Sequence, residues 1–261
     1  MKKLSLVLSL VLALCLCLPA VAEEAAAPSL LAYYTFDDAE NLGKDATPNA
    51  NDLIRVINED GIEAVEGHVG GAAYFYGSSG MTPFDDANND FIDLYGNGSL
   101  TISFWAKVDL ERAHTGNMRI IDQGINGSAE GFTNVLKKNV AEDGTVSGLT
   151  FIAVTGGSDW WGAAGSVTAD PAGWHHYMHV YDAENCSVTT YIDGVKAKET
   201  YAEEEVVKAA FTFCVGGSWA QWDWFNGGNR SVTGEGYIGA VDEIKIIAGA
   251  VHDAAVVDAM K

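Results

Sequence analysis

The chain reads as an all-β sandwich, and three observations predict that class. From Ser29 onward, short apolar runs broken by Gly, Asn, Asp and Ser recur at sandwich spacing. Helical periodicity is confined to the end, over 253–260, and to a weak stretch at 202–209. The third observation is the segment 174–182, which alternates along a strand: Trp174, His176, Met178 and Val180 share one face, and His175, Tyr177, His179 and Tyr181 the other. A polar turn over 182–187 leads to a second strand, 188–192, rich in β-branched and aromatic residues, which stops at the turn pair Asp193-Gly194. These two strands form a hairpin.

The other elements follow in order. Residues 30–36 form a first strand and 45–52 a polar turn. Gly70-Gly71 prepares a strand at 72–76, and the apolar runs 91–94, 99–108, 119–121 and 149–154 continue the series. Strands at 211–215 and 237–247 close it, with the short helix at 253–260 last. No internal repeat or long linker interrupts the pattern, which makes one domain the economical division.

Residues 1–22 have the form of a secretory signal peptide: Lys2 and Lys3, an apolar run from Leu4 to Leu18, and small residues at Ala20-Val21-Ala22. That run is shorter than the ~20 residues a membrane span requires. A tether over 23–28 and a domain over 29–261 are expected to follow, the latter long enough to bury a proper core. With 36 Asp and Glu against 15 Lys and Arg, the formal net charge is −21. Such a surface repels nucleic acid and anionic membranes and tolerates neutral ligands and divalent cations. Of four cysteines, Cys15 and Cys17 fall in the leader. Cys186 and Cys214 remain, to be joined as a disulfide in an oxidising compartment or packed as two free thiols.

Six segments, taken in order, resemble the laminin-G-like domains of the concanavalin A-like lectin and glucanase superfamily. They are Tyr34-Thr35-Phe36-Asp37 with the turn 45–52; Val69-Gly70-Gly71-Ala72-Ala73-Tyr74-Phe75; Leu100-Thr101-Ile102-Ser103-Phe104-Trp105-Ala106-Lys107; the hairpin with Tyr191-Ile192-Asp193-Gly194; Phe213-Cys214-Val215-Gly216-Gly217; and Gly239-Ala240-Val241-Asp242-Glu243-Ile244. The resemblance implies a two-sheet antiparallel jelly-roll sandwich that binds sugars or protein ligands. It also implies a structural calcium joining the first and last strands, with Asp37 and Asp242 as side-chain ligands.

Chemistry-bearing constellations are few. His175 and His179 share a face but stand about 13 Å apart along a strand, too far for one zinc ion. A glycosidase needs two carboxylates across one cleft. Asp242 and Glu243 are adjacent, so a regular strand would send them to opposite faces. A non-catalytic module is therefore expected.

Five of the seven tryptophans lie in two stretches rich in small and polar residues, Trp160 and Trp161 in one and Trp219, Trp222 and Trp224 in the other. An indole covers the apolar face of a sugar ring while polar neighbours fix its hydroxyls. Asp159, Asp223, Asn226, Asn229 and Arg230 would supply those bonds. The expectation is a secreted or cell-surface module that binds an extracellular polysaccharide or glycan. A protein-binding adhesion module, and after it a glycan-cleaving enzyme, are the alternatives.

Overall fold

A computed structural model describes residues 27–53, 55–57, 61–83, 98–123, 131–156, 160–202, 213–217 and 235–260. The elements are β1 (Ser29–Tyr34), β2 (Arg55–Ile57), β3 (Ile62–Glu66), β4 (Gly71–Tyr76), β5 (Gly80–Thr82), β6 (Leu100–Val108), β7 (Asn117–Asp122) and β8 (Gly131–Val140). They continue with β9 (Val146–Gly156), β10 (Trp160–Val167), β11 (His175–Asp182), β12 (Ser187–Ile192), β13 (Val195–Tyr201), β14 (Cys214–Val215), β15 (Ile238–Ala248) and a helix, here α1 (Ala254–Ala259). Two antiparallel sheets result, confirming the two-sheet sandwich read from the sequence. The first runs β13-β12-β11-β6-β15-β4-β3, with β1 also paired to β15; the second runs β10-β9-β8-β7-β14-β5-β2.

The core lies between the sheets. Alternation along β6 turns Leu100, Ile102, Phe104 and Ala106 inward, and β11 contributes Tyr177 and Tyr181. Phe151 of β9 meets them from the second sheet: its ring centre is 5.8 Å from Phe104 and 5.0 Å from Tyr177. One polar bridge crosses this apolar layer. His179 Nε2 lies 2.9 Å from Thr155 Oγ1 and His179 Nδ1 3.2 Å from Asn134 Oδ1, all three residues buried.

The hairpin of β11 and β12 pairs Tyr177 with Ile192 through Asp182 with Ser187, as its sequence indicates. Asp193 fastens the turn beyond it. Its Oδ1 accepts the His176 N–H at 3.0 Å, and its Oδ2 lies 2.9 Å from His175 Nδ1. The outward faces of the same strands are not all exposed. Met178, Val180 and Ile247 are covered by Val251 and by Val257 of α1, a second apolar cluster that closes one end of the first sheet's outer face.

Both cysteines are free, which corrects the disulfide alternative. Cys186 sits in the turn between β11 and β12 of the first sheet, whereas Cys214 is buried on β14 of the second, opposite Asp122. The leader and the expected strand 91–94 lie outside the described residues, as does most of the weak helical stretch 202–209. Among the described residues no helix is long and apolar enough to cross a membrane.

Candidate functional site on the outer face of the first sheet

The antiparallel register fixes which side chains share the outer face. Trp105 stands opposite both His176 and Asp242, and Ser103 opposite both Met178 and Lys245. These outward residues are flanked by inward Phe104 and Ala106, so the rows follow from strand alternation.

Glu243 breaks that alternation. The pairing of β15 with β6 shifts between Asp242 and Lys245, and Glu243 adopts a left-handed φ of 53°. This is a β-bulge, an extra residue that re-aims its side chain. Asp242 and Glu243 therefore both emerge on the outer face, correcting the expectation that neighbours in a strand must oppose each other. Glu243 Oε2 accepts the Tyr33 hydroxyl at 2.5 Å and lies 4.0 Å from Lys245 Nζ. Lys245 in turn sits 5.0 Å from the centre of the Tyr33 ring. Burial, and then the Glu243 carboxylate, push the Tyr33 hydroxyl far above its ordinary range, which keeps it a donor.

Asp242 serves the neighbouring turn. Its Oδ2 accepts the Val69 N–H at 3.0 Å and its Oδ1 the Glu243 N–H at 2.7 Å. Burial pushes its carboxyl up to about 7 despite these donors. Asp37 approaches the same turn, accepting the Gly71 N–H at 2.8 Å. Gly70, at φ +61°, is required there, because a Cβ would fall 2.0 Å from Asp37 Oδ1. The two expected calcium ligands thus meet at one turn, but each accepts a backbone N–H. Among the described residues no group of three or more His, Cys, Asp or Glu could hold a metal ion. A calcium shell takes six to eight oxygens, so an ion held at this turn would need carbonyl oxygens besides these two carboxylates.

The turn carries His68 over the sheet. Its imidazole stacks on the half-buried Trp105 indole, with centres 3.6 Å apart and planes 14° apart, and lies 6.3 Å from Trp174. On one side of this stack is a pocket of about 200 Å³ lined by Trp105, Ser103, His176, Glu243, Lys245 and Asp258. His176 Nε2 is 2.7 Å from Ser103 Oγ, and burial holds its imidazole below its ordinary pKa, hence neutral at neutral pH. On the other side is an open groove of about 840 Å³ bounded by Trp174, Tyr74, Lys107, Asp109 and Glu66. Tyr74 donates to Asp109 Oδ2 at 2.7 Å, which fixes both at the rim.

The first of the tryptophan stretches marked in the sequence belongs to the other sheet. Trp160 and Trp161 pair with Gly156 and Thr155 at the start of edge strand β10, so they occupy a strand and not the expected irregular loop. Strands β9, β8 and β7 separate β10 from β14, which precedes the second stretch. Strands β10 and β14 are therefore about 19 Å apart across the sheet. Asp159, Trp219, Trp222, Asp223, Trp224, Asn226, Asn229 and Arg230 lie outside the described residues. Sequence reasoning passed over Trp105, His68 and Lys245 as site residues, and weighed Glu243 only as a partner of Asp242. One signal was present: along 100–107, Trp105 falls on the face with Thr101, Ser103 and Lys107, and a large indole on the polar face of a strand has no core to fill.

A family profile described as the Concanavalin A-like lectin/glucanases superfamily, of laminin-G type, matches residues 84–256. Among solved structures, domain 4 of AbnA, a GH43 extracellular arabinanase from Geobacillus stearothermophilus in complex with arabinotriose, is 21% identical with a TM-score of 0.57, over 90% of this chain and 100% of that one. The binding domain of botulinum neurotoxin DC in complex with rat synaptotagmin II is 12% identical with a TM-score of 0.55, over 89% of this chain and 52% of that one. The botulinum neurotoxin serotype D binding domain is 11% identical with a TM-score of 0.53, over 88% of this chain and 51% of that one. The chain thus spans about half of each neurotoxin domain, and at these identities the likeness is one of fold. No curated protein matches the sequence. By the profile match, carried on the sheet order and register just described, the chain belongs to the Concanavalin A-like lectin/glucanases superfamily.

Proposed function

We propose that this protein is a secreted, non-catalytic module that binds a glycan in the furrow on the outer face of its first sheet. The observation that carries the reading is the Trp105 indole, half-buried on the furrow floor and already stacked by a flat ring, with charged and hydroxyl groups within the same pocket. His68 covers one face of this indole, so a sugar meets the open edge of the ring with its C–H groups, and the convergent polar groups of the pocket fix its orientation. That domain 4 of AbnA is described in complex with arabinotriose supports the sugar class.

The test is retention on linear arabinan, xylan, mannan and β-glucan in affinity electrophoresis. Wild type is expected to be retarded by at least one. Trp105→Ala should weaken that binding more than tenfold, whereas Trp222→Ala/Trp224→Ala should not. Loss in that double variant with retention in Trp105→Ala would move the site to the second tryptophan stretch. Absence of binding to all four glycans would overturn the reading, and release of reducing sugar would overturn the non-catalytic assignment.

Calcium is not required by this proposal: Asp37 Oδ1 and Asp242 Oδ2, on the carboxylates expected to hold it, already accept N–H groups of the turn over 67–71. Chelation with EDTA is therefore expected to leave the melting temperature within about 1 °C, since only a ligand that binds the folded state raises it. A rise of several degrees on adding calcium would show that the turn opens to take the ion.

A further inference from the structure

The furrow is divided and closed at one end, and this shape goes beyond glycan binding to the part of the glycan bound. Along β6 the outward residues run Lys107, Trp105, Ser103 and Thr101. Lys107 lies in the open groove, while Trp105 and Ser103 floor the small pocket. At Thr101 the face is already full: its hydroxyl donates to the Gly249 carbonyl at 2.8 Å and accepts the Val251 N–H at 2.9 Å. Ile247 and Val180 beside it are buried under Val251 and Val257. The polar pocket is thus a blind compartment, walled by α1 through Asp258, with His68 at its rim.

We infer that the module grips a glycan by a chain end, with the terminal sugar in the blind pocket and the following sugars in the open groove. The inference rests on the proposed glycan-binding function. A volume of about 200 Å³ admits one sugar ring, and a chain passing straight through would collide with the segment 249–257. The pocket's chemistry suits a ring end: Glu243 and Asp258 accept from hydroxyls, Lys245 donates, and the indole edge of Trp105 meets C–H groups. Groove-facing Glu66, Asp109 and Glu111 outnumber Lys107, which disfavours a polyanionic chain and leaves neutral glycans as the class.

Isothermal titration of the full chain separates end capture from internal binding. The ligands are linear arabinan, xylan, mannan and β-glucan of defined length, together with the trisaccharide of each. End capture predicts one module per polymer molecule whatever its length, and the same molar affinity for trisaccharide and polymer. Asp258→Ala, on the exposed side of α1 and outside the core, is expected to weaken trisaccharide and polymer alike by about three- to tenfold, the loss of one hydrogen bond. Several modules per polymer molecule, or unchanged affinity in Asp258→Ala, would overturn end capture while leaving glycan binding intact. Failure of every glycan to bind would overturn both.

Discussion

Replacing His179 with alanine is expected to lower stability by about 3–5 kcal/mol, as a buried cavity and two stranded polar partners combine. His179 is 1% exposed and joins the two sheets through Thr155 and Asn134. With the Asn134 oxygen facing the ring, His179 Nδ1 carries the proton and Nε2 accepts from the Thr155 hydroxyl, so the neutral imidazole meets both partners. The Asn134 Nδ2 group already has no partner in the structure, and alanine at 179 would orphan its oxygen as well.

A pH dependence distinguishes this role from simple packing. Burial pushes the His179 imidazole down to about 3. A depressed folded-state pKa contributes stability that is fully present above the unfolded value of 6.5 and is lost as pH falls. Between pH 7.5 and pH 5 this one group should remove about 2 kcal/mol from the wild type. Denaturant unfolding at the two pH values, compared with His179→Ala, isolates the contribution, because His176 and Asp242 titrate in both proteins. Equal slopes in the two proteins would show that His179 is not held neutral by the core.

The second large effect is expected at Asp45, which holds the start of the domain together. Its Oδ1 accepts the Tyr33 and Thr47 N–H groups, each at 2.9 Å, and its Oδ2 the Asn51 N–H and the Thr47 hydroxyl, each at 2.8 Å. The side chain thus ties β1 to the turn that follows it. Asp45→Ala would leave three backbone donors without this acceptor at a site 5% exposed, a cost of about 3 kcal/mol or more. In a chain of this size that corresponds to a fall of roughly 6–12 °C in melting temperature. Asp45→Asn keeps one acceptor oxygen and should fall between wild type and alanine. An alanine variant within about 1 kcal/mol of wild type, or an asparagine variant as damaged as alanine, would refute the assignment.

Both sites show what a sequence carries. Asp45 begins the polar turn that stood out in the primary structure, because short-range side-chain bonds to the backbone are local and leave a local signature. The inward face of β11, with His175, Tyr177, His179 and Tyr181, was legible from period-two alternation alone. What His179 meets was not, since Asn134 and Thr155 come from the other sheet. The edge strand β10 was hidden by its glycines and tryptophans, which read as a loop until pairing with β9 satisfied the backbone. The furrow was hidden for another reason. His68, Trp105, His176 and Glu243 belong to four separate segments, brought together only by strand order.

The sequence alone determined the all-β class, the hairpin, the first turn, the terminal helix and the family, because alternation, turn residues and ordered motifs are written in neighbouring positions. Only the tertiary structure decided that the two cysteines stay apart, that Glu243 leaves its expected face, and that an indole on a polar face floors a closed pocket. Those outcomes depend on which distant strands become neighbours and on a single extra residue in β15. A one-residue change of register turns every later side chain to the opposite face, so local pattern cannot fix what a sheet presents to solvent.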